Sequence, residues 1–468
     1  MSNFKVIIVG GGPVGLIAGH CLASAGIDFE ILERRPTLDH NWGASTVVWA
    51  HNARVLDQLG LLDHAMKIYS PIRYKRNIRA DGSLIGWNNV YQVAEKFHAY
   101  PWLFFPRNDM INMFHNHLPG KETRVHANKK ATGIETTDKG VTVHCADGTS
   151  FTGSIVIGAD GVNSTVRALM SKPLSSTPDA SASTTITTTD KAPTPTTTDP
   201  EEPNTPMKTS YIALFARCTG MPDVLEPYTM CETHSPRLAA QAIHNQTNFF
   251  FLLYITLDVP TTDRKRFTDA DADAYVARPE VADFHITPTL TVSQAWPKKF
   301  WHHMTYSEEG LAPRWSDPVS GRVVLAGDSA HKMLPTVALG FNSGLQSMVA
   351  ITNGLAALLK TTKEPSGKQL KEVWEGYERV RRESARKTME VTSDTTRLIS
   401  WRTRGWRFVD QYVLPKIGGE KLLLRLRVSP LVREGLVLEG IEEKGYKEGT
   451  IKWKNGRGRG GWWRGRRR

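Results

Sequence analysis

The stretch KVIIVGGGPVGLIAGHCLASAGIDFEILE, residues 5–33, decides the fold. Lys5–Val9 is a β-branched run of the kind buried in a parallel sheet. Gly10, Gly12 and Gly15 follow at G-x-G-x-x-G spacing. An apolar, alanine-containing segment then reads as a helix to about Ala25, and Gly26 ends it as a C-terminal cap glycine does. Phe29–Leu32 is the next strand, with Glu33 at its end. Such a unit opens an α/β sheet. Its first glycine permits a tight turn, its second lets a pyrophosphate approach the backbone, and its third lets the helix pack closely on the strand. The helix N-terminus offers unpaired N–H groups to the anion. Glu33, 23 residues after Gly10, is placed to accept the ribose hydroxyls of an adenosine. The unit predicts a dinucleotide site without deciding which dinucleotide.

Two later units also put an Asp at the carboxyl end of a strand, where ligands of open α/β sheets sit. In one, the strand from Ser154 runs into Asp160-Gly161-Val-Asn-Ser164-Thr-Val-Arg167. In the other, the strand from Arg322 runs into Gly327-Asp328-Ser-Ala-His331-Lys-Met-Leu-Pro335, then Gly340-Phe341-Asn342-Ser-Gly344. Taken singly, the first also reads as an Asp-Gly turn and the second as a simple helix N-cap.

The chain has 468 residues, a length for two or three lobes. Its net charge of +12 is uneven: Thr450–Arg468 carries eight Lys/Arg and no acid, which leaves about +4 elsewhere. The end of that tail, Gly456–Arg468, mixes cations with tryptophan. Nucleic-acid or anionic-lipid contact and a solvated tail both fit it, and no nucleic-acid partner is expected. Cys21, Cys145, Cys218 and Cys231 are scattered, without C-x-x-C or metal spacing. They read as reduced thiols of a cytoplasmic protein, with no metal site. No run of about 20 apolar residues predicts a spanning helix. Val6–Leu22 is apolar, but its five glycines and the lack of a basic stretch before it argue against a signal peptide. Lys421–Leu438 interleaves apolar and basic residues, a pattern compatible with peripheral contact at an endomembrane surface.

The expected fold class is α/β: a Rossmann-like dinucleotide-binding domain with an inserted mixed β-sheet substrate domain and a C-terminal helical region. The first domain takes residues 1–75, 106–170 and 296–365. The substrate lobe takes 76–105 and 207–295. Residues 171–206, rich in Ser, Thr, Pro and Asp with almost no large apolar residue, cannot bury enough surface to offset their ordering entropy and are expected to be a flexible loop. Residues 366–449 form the helical region, within which Lys368–Thr396 reads as a solvated helix, and 450–468 form a disordered tail.

Taken together and in this order, the three motifs resemble the FAD-dependent monooxygenases of the aromatic-hydroxylase type, from about Phe4 to Lys454. Gly43-Ala44-Ser45, Asn52–Gly60, Gly327–Met333 and Arg407–Pro415 look most like the fungal indole-diterpene and meroterpenoid epoxidases of the paxilline type. The resemblance implies FAD as cofactor, NAD(P)H as transient co-substrate, and O2. It implies epoxidation or hydroxylation of a hydrophobic terpenoid, meroterpenoid or polyketide in secondary-metabolite biosynthesis. It assigns cofactor contacts to Gly10, Gly12, Gly15, Glu33, Val47, Arg107, Asp160 and Asp328, and to Phe341 through its backbone. Ser164 and Arg167 match the middle motif. Tyr211 falls near a position where related enzymes carry a catalytic or orienting residue, and a structural tyrosine fits there as well. Trp87, Trp102, Phe104, Trp301 and Trp315 are candidates for an apolar substrate pocket. Two positions depart from the family pattern: Val47 stands where glycine is usual, and Ala338-Leu339-Gly340-Phe341 replaces Gly-Gln-Gly-Ala. A flavin oxidoreductase without oxygen insertion shares the same three motifs.

Overall fold

The computed structural model describes residues 4–38, 43–170, 184–187 and 207–456, apart from 220, 222, 227, 246, 247 and 264. Lys5–Val9 forms the centre of a parallel five-stranded sheet. Asp28–Leu32 and then Val125–His126 lie on one side, Ile155–Gly158 and then Val323–Leu325 on the other. The near-continuous Val/Ile composition of the inner strands follows from burial on both faces. Helix Pro13–Ser24 begins with Pro13 at its first position and is buried from Gly15 to Leu22, because it lies between this sheet and helix Gly340–Leu359. Gly10, Glu33, Asp160 and Asp328 thereby meet at the carboxyl edge of the sheet, each just past the end of a different strand.

The second lobe is an eight-stranded mixed sheet. Its order is His331–Lys332, Lys299–Leu311, Lys208–Cys218, Phe249–Thr261, Leu238–His244, Thr229–His234, Tyr74–Arg79 and Leu84–Asn88. The pairing is antiparallel except between Thr229–His234 and Tyr74–Arg79. The strand Lys299–Leu311 lies inside this sheet, although its sequence neighbours suggested the first lobe. Leu103–Pro106, at the end of the segment expected in the substrate lobe, instead pairs with Ser45–Val48 and Ser70–Pro71. One core fills the dinucleotide-binding lobe and the helical region. A second packs one face of the large sheet against Asp269–Val276 and its neighbouring short helices.

Helix Gly367–Ile399 is not a solvated helix. Leu370, Val373, Trp374, Tyr377, Arg381, Ala385 and Thr388 are buried along one stripe, at i, i+3, i+4 spacing. The density of Glu, Lys and Arg on the other face masked that stripe in the sequence. Within Lys421–Leu438, the residues Leu424, Val428, Val432, Leu436 and Leu438 point into the main core. Half of the apolar side chains of that segment are thus internal, and Leu426 is exposed. Among the described residues no helix is long and apolar enough to cross a membrane.

The chain is also packed beyond residue 450, where a disordered tail was expected to begin. Trp453 is 1% exposed and lies 4.4 Å beneath the guanidinium of Arg54. Arg54 itself is fully buried. It donates to both carboxylate oxygens of Glu443, at 2.7 and 2.8 Å, and to the carbonyl of Asn455 at 2.9 Å. Residues 457–468 and most of the Ser/Thr/Pro segment 171–206 lie outside the described residues. Within the latter, Thr184–Thr187 is a strand paired with Ala131–Thr136. All four cysteines are unpaired and buried.

Candidate active site

A cavity of about 620 Å³ runs between the two lobes. Its first end is made largely of backbone. Gly10 takes a left-handed φ of +112°, and a Cβ on Gly15 would stand 1.8 Å from the carbonyl oxygen of Gly10. Only glycine allows that helix-to-strand approach. A Cβ on Gly12 would meet no protein atom within 4 Å, so the loop presents bare backbone to the cavity at that point. The helix behind it has no side-chain cap and no acid in its first turn, which leaves its N-terminal N–H groups and dipole for an anion. Glu33 accepts from the backbone N–H of Gly11 at 2.8 Å and of Arg35 at 3.0 Å. Its carboxylate is fixed by these two bonds, and Glu33, Lys129 and Lys130 all line the cavity.

Asp160 lines the cavity and also caps the helix Thr165–Met170. It accepts from Ser164 Oγ at 2.5 Å and from the N–H groups of Thr165 and Val166 at 2.7 and 3.1 Å. Burial nonetheless pushes its pKa up. Arg167 donates to the carbonyls of Ser329 and Val162, so the middle and late motifs are joined through one side chain. Asp328 accepts from Lys332 Nζ at 2.6 Å. Burial alone would raise its carboxyl, but Lys332, His331 and Arg107 outweigh that effect and hold it below the usual range. The guanidinium of Arg107 opens into the cavity and makes no hydrogen bond among the described residues. Val47 and Phe341 line the cavity between its two ends. Phe341 also packs on Phe114 at 5.9 Å.

A pin that sequence reasoning missed fixes this middle stretch. Asn342 is fully buried. Its amide donates to the carbonyls of Val47 and Ala338, both at 2.8 Å, and its oxygen accepts from Trp49 N and Asn52 Nδ2, both at 2.9 Å. It ties the strand Ser45–Val48 to the start of helix Gly340–Leu359. The only signal was an Asn in a glycine-rich turn.

The second end of the cavity is the face of the large sheet. The strand register sets Glu232, Gln241, Leu252, Phe215 and His303 side by side in one row across five strands. Met230, Ile243 and Phe250 form the adjacent row. All of these except Glu232 line the cavity. Trp102 and Phe104 join them, Phe104 edge-on to Phe250 at 5.6 Å. The other three aromatic candidates lie elsewhere. Trp87 is on the surface, stacked on Tyr74. Trp301 is outside the lining. Trp315 is fully buried against Tyr377 and His331.

Tyr211 is likewise not brought to the cavity. It is 1% exposed, in a small cluster with Ala239, Leu334 and Ile399, and its hydroxyl is 3.1 Å from Ser400 Oγ. It faces the end of the long helix, which is the placement of a structural tyrosine. Among the described residues no cluster of His, Cys, Asp and Glu has metal-binding geometry.

The arrangement fits FAD on three observations. A glycine loop bare of side chains lies at the helix N-terminus, Arg107 lines the same space without a side-chain hydrogen bond among the described residues, and the lining extends through Val47 and Phe341 to a largely apolar sheet face. Residues 3–392 match the family described as FAD binding domain. The chain belongs to that family.

It is 30% identical over 470 residues to the FAD-dependent monooxygenase srdH of Neurospora crassa, covering 96% of this chain and 98% of the relative. It is 29% identical to the FAD-dependent monooxygenase ausM of Penicillium brasilianum, covering 89% and 83%. The fold is that of p-nitrophenol 4-monooxygenase PnpA from Pseudomonas putida DLL-E4, with a TM-score of 0.68 at 20% identity over 92% of this chain and 98% of that one. Klebsiella pneumoniae HpxO complexed with FAD and uric acid shares it too, with a TM-score of 0.67 at 17% identity over 92% and 97%. The protein is thus an FAD-dependent enzyme of the monooxygenase group.

Proposed function

We propose that the protein uses NAD(P)H and O2 to insert one oxygen atom into a hydrophobic terpenoid, meroterpenoid or polyketide of fungal secondary metabolism, by epoxidation or hydroxylation. The observation that carries this reading is the continuity of the cavity: the space beginning at the dinucleotide loop ends on a wall of Trp102, Phe104, Phe215, Met230, Ile243, Phe250 and Leu252. A reductase needs only access for a second nucleotide, whereas a monooxygenase needs a second chamber that holds the organic substrate and keeps water out.

Bound FAD would supply the electron transfer and oxygen activation. The remaining work falls to this chain. The Gly10–Gly15 loop and Arg107 bind the cofactor's anionic part, and Glu33 its ribose. Val47 and Phe341 bound the passage between the two chambers. The aromatic floor orients an apolar substrate and excludes water by leaving it few polar partners.

The test is oxygen accounting on the purified, FAD-loaded protein. Adding a prenylated phenol should accelerate bleaching of the flavin absorbance by NADPH, and ¹⁸O from labelled O2 should appear in the organic product. Bleaching by NADPH with product that carries no label would instead identify an oxidoreductase without oxygen insertion.

A further inference from the structure

His303, Thr305, Ser307 and Glu308 make the strand Lys299–Leu311 the polar side of the sheet wall, and the two strands farther in are apolar but for one residue. Strands Leu238–His244 and Phe249–Thr261 contribute Gln241, Ile243, Phe250, Phe251 and Leu252 to the cavity, and only Gln241 is polar. Its amide orientation is fixed by what surrounds it. Nε2 donates to Glu232 Oε2 at 2.6 Å and to the carbonyl of Thr336 at 2.9 Å, which uses both N–H groups. Oε1 accepts from the hydroxyl of Tyr254 at 2.8 Å, which leaves one of its two lone pairs. Turning the amide over would set its oxygen against a carboxylate and a carbonyl, so the hydrogen-bond network assigns the atoms without ambiguity.

Glu232 is a firm anchor for that orientation. Lys75 Nζ stands 2.5 Å from it and His234 Nε2 3.1 Å. Burial alone would raise the Glu232 carboxyl, but Lys75 and His234 outweigh it and hold the pKa down to about 2. Glu232 therefore stays an acceptor, and Gln241 cannot exchange its roles.

We infer that Gln241 is a specificity-determining residue: its free Oε1 lone pair accepts a hydrogen bond from a hydroxyl or N–H of the substrate, so the enzyme selects apolar molecules that carry one such donor. This rests on the reading of the second chamber as the substrate site. Among the apolar side chains of these two strands, an acceptor without a matching donor is left unsatisfied by an ether or a hydrocarbon, and that mismatch is the basis of discrimination. Two side chains of the same row hold the acceptor in place, since Glu232 and Leu252 are the cross-strand neighbours of Gln241. The substrate's donor group would then be fixed relative to the aromatic residues Phe104 and Phe250, which pack against its apolar body.

The experiment titrates the FAD-loaded, full-length protein with farnesol and with farnesyl methyl ether, following perturbation of the bound-flavin absorbance. The ether replaces the donor hydrogen with a methyl group, and the effect of that added bulk is the part of the preference that Gln241→Met leaves in place. The wild type should bind the alcohol about 10-fold more tightly. Gln241→Met, which keeps the length but has no comparable acceptor, should bring the ratio down towards 1. Equal affinities in the wild type, or a preserved ratio in Gln241→Met, would overturn the inference while leaving the chamber intact. If Gln241→Met fails to fold, Tyr254→Phe serves. It frees a second lone pair on Oε1 and leaves both N–H bonds of the amide in place, so the alcohol preference should persist or grow, and its loss would count against Gln241. A flavin spectrum that responds to neither probe overturns the substrate-chamber reading itself.

Discussion

The two ends of the cavity are built by different means. At the nucleotide end the working surface is backbone: glycines that allow close approach, helix N–H groups, and Glu33 held by two main-chain donors. At the sheet end the surface is side chain, set by register across five strands and continued on the same face by a buried charged network of Lys75, Glu232, His234 and Asp410. Backbone sites tolerate almost no change at a few positions and nearly any change between them. Side-chain sites spread their tolerance, and their failures pass through the supporting network. The contrast therefore predicts where mutations act on binding and where they act on stability.

The largest effect is expected within the glycine loop. In Gly15→Ala the new methyl group would meet the Gly10 carbonyl at 1.8 Å, so helix Pro13–Ser24 has to move off the sheet. We predict protein without bound flavin and with a lowered melting temperature. Gly12→Ala is the control three residues away. Its backbone φ of −73° suits any residue, and its Cβ meets no protein atom. The apoprotein should lose no more than about 1 kcal/mol, the cost of alanine at an N-cap, while FAD affinity falls at least about 10-fold because the methyl group occupies the cofactor's space. Apoprotein melting and flavin-binding titrations separate the two. Unchanged FAD affinity in Gly12→Ala would mean that the loop does not face the pyrophosphate.

The same contrast explains what could be read from the sequence. Gly10, Gly12, Gly15 and Glu33 were legible because their conformations are set within about 30 consecutive residues. Asp328 was legible as an Asp at the carboxyl end of a strand, whereas Val47 and Arg107 became candidates only through resemblance, since separate elements carry them to the cavity. Gln241, Met230 and Phe250 were not legible at all. Their meeting depends on register between strands far apart in sequence, which no local pattern encodes. The strand Phe249–Thr261 is apolar on both faces through Leu257, so alternation could not say which of its residues face the cavity. The aromatic candidates failed for a related reason: Trp315 and Trp102 look alike in sequence, and only packing sends one to the core and the other to the cavity wall.

A smaller effect is expected in the charged network beside the sheet end of the cavity. His234 Nδ1 is 2.8 Å from Asp410, which also accepts from the indole N–H of Trp401 at 2.8 Å. Burial alone would depress the imidazole, but Asp410 and Glu232 outweigh it and hold its pKa up to about 9. A folded-state pKa above the unfolded value of roughly 6.5 means stability that is fully present below about pH 6.5. It is lost as pH rises through about 9. Asp410→Asn removes one partner of a buried pair and should cost about 3 kcal/mol at pH 6. The deficit should shrink as pH approaches 9, because the wild type loses the same contribution there. Melting curves of both proteins from pH 6 to 9 check this. A gap that stays constant across that range would show that His234 does not titrate as described. FAD affinity should hold throughout, as the network touches only the sheet end.

The smallest effect lies between the two ends, where a side chain sits on backbone shaped for glycine. Ala338 takes a left-handed φ of +53°, at a position where the family pattern has glycine. Its N–H donates to the carbonyl of Pro335 at 2.8 Å, and its own carbonyl accepts from Asn342 at 2.8 Å, so that conformation is held from both sides. For an alanine it costs roughly 1 kcal/mol. Ala338→Gly removes that strain. It also increases the freedom of the unfolded chain, which costs about 0.4–1 kcal/mol, and gives up the packing of one methyl group against the main core. The opposing terms nearly cancel, so stability by urea unfolding should change by no more than about 0.5 kcal/mol in either direction. Binding should respond more clearly. The methyl group lines the cavity beside Phe341, so removing it should strengthen FAD binding by about 2–3-fold if backbone access limits the passage, in line with the general cost of bulk where a ligand approaches the main chain. Weaker FAD binding in Ala338→Gly would show the opposite: that this stretch holds the cofactor by side-chain contact, as the sheet end holds its substrate, and that the backbone character of the nucleotide end stops short of Phe341.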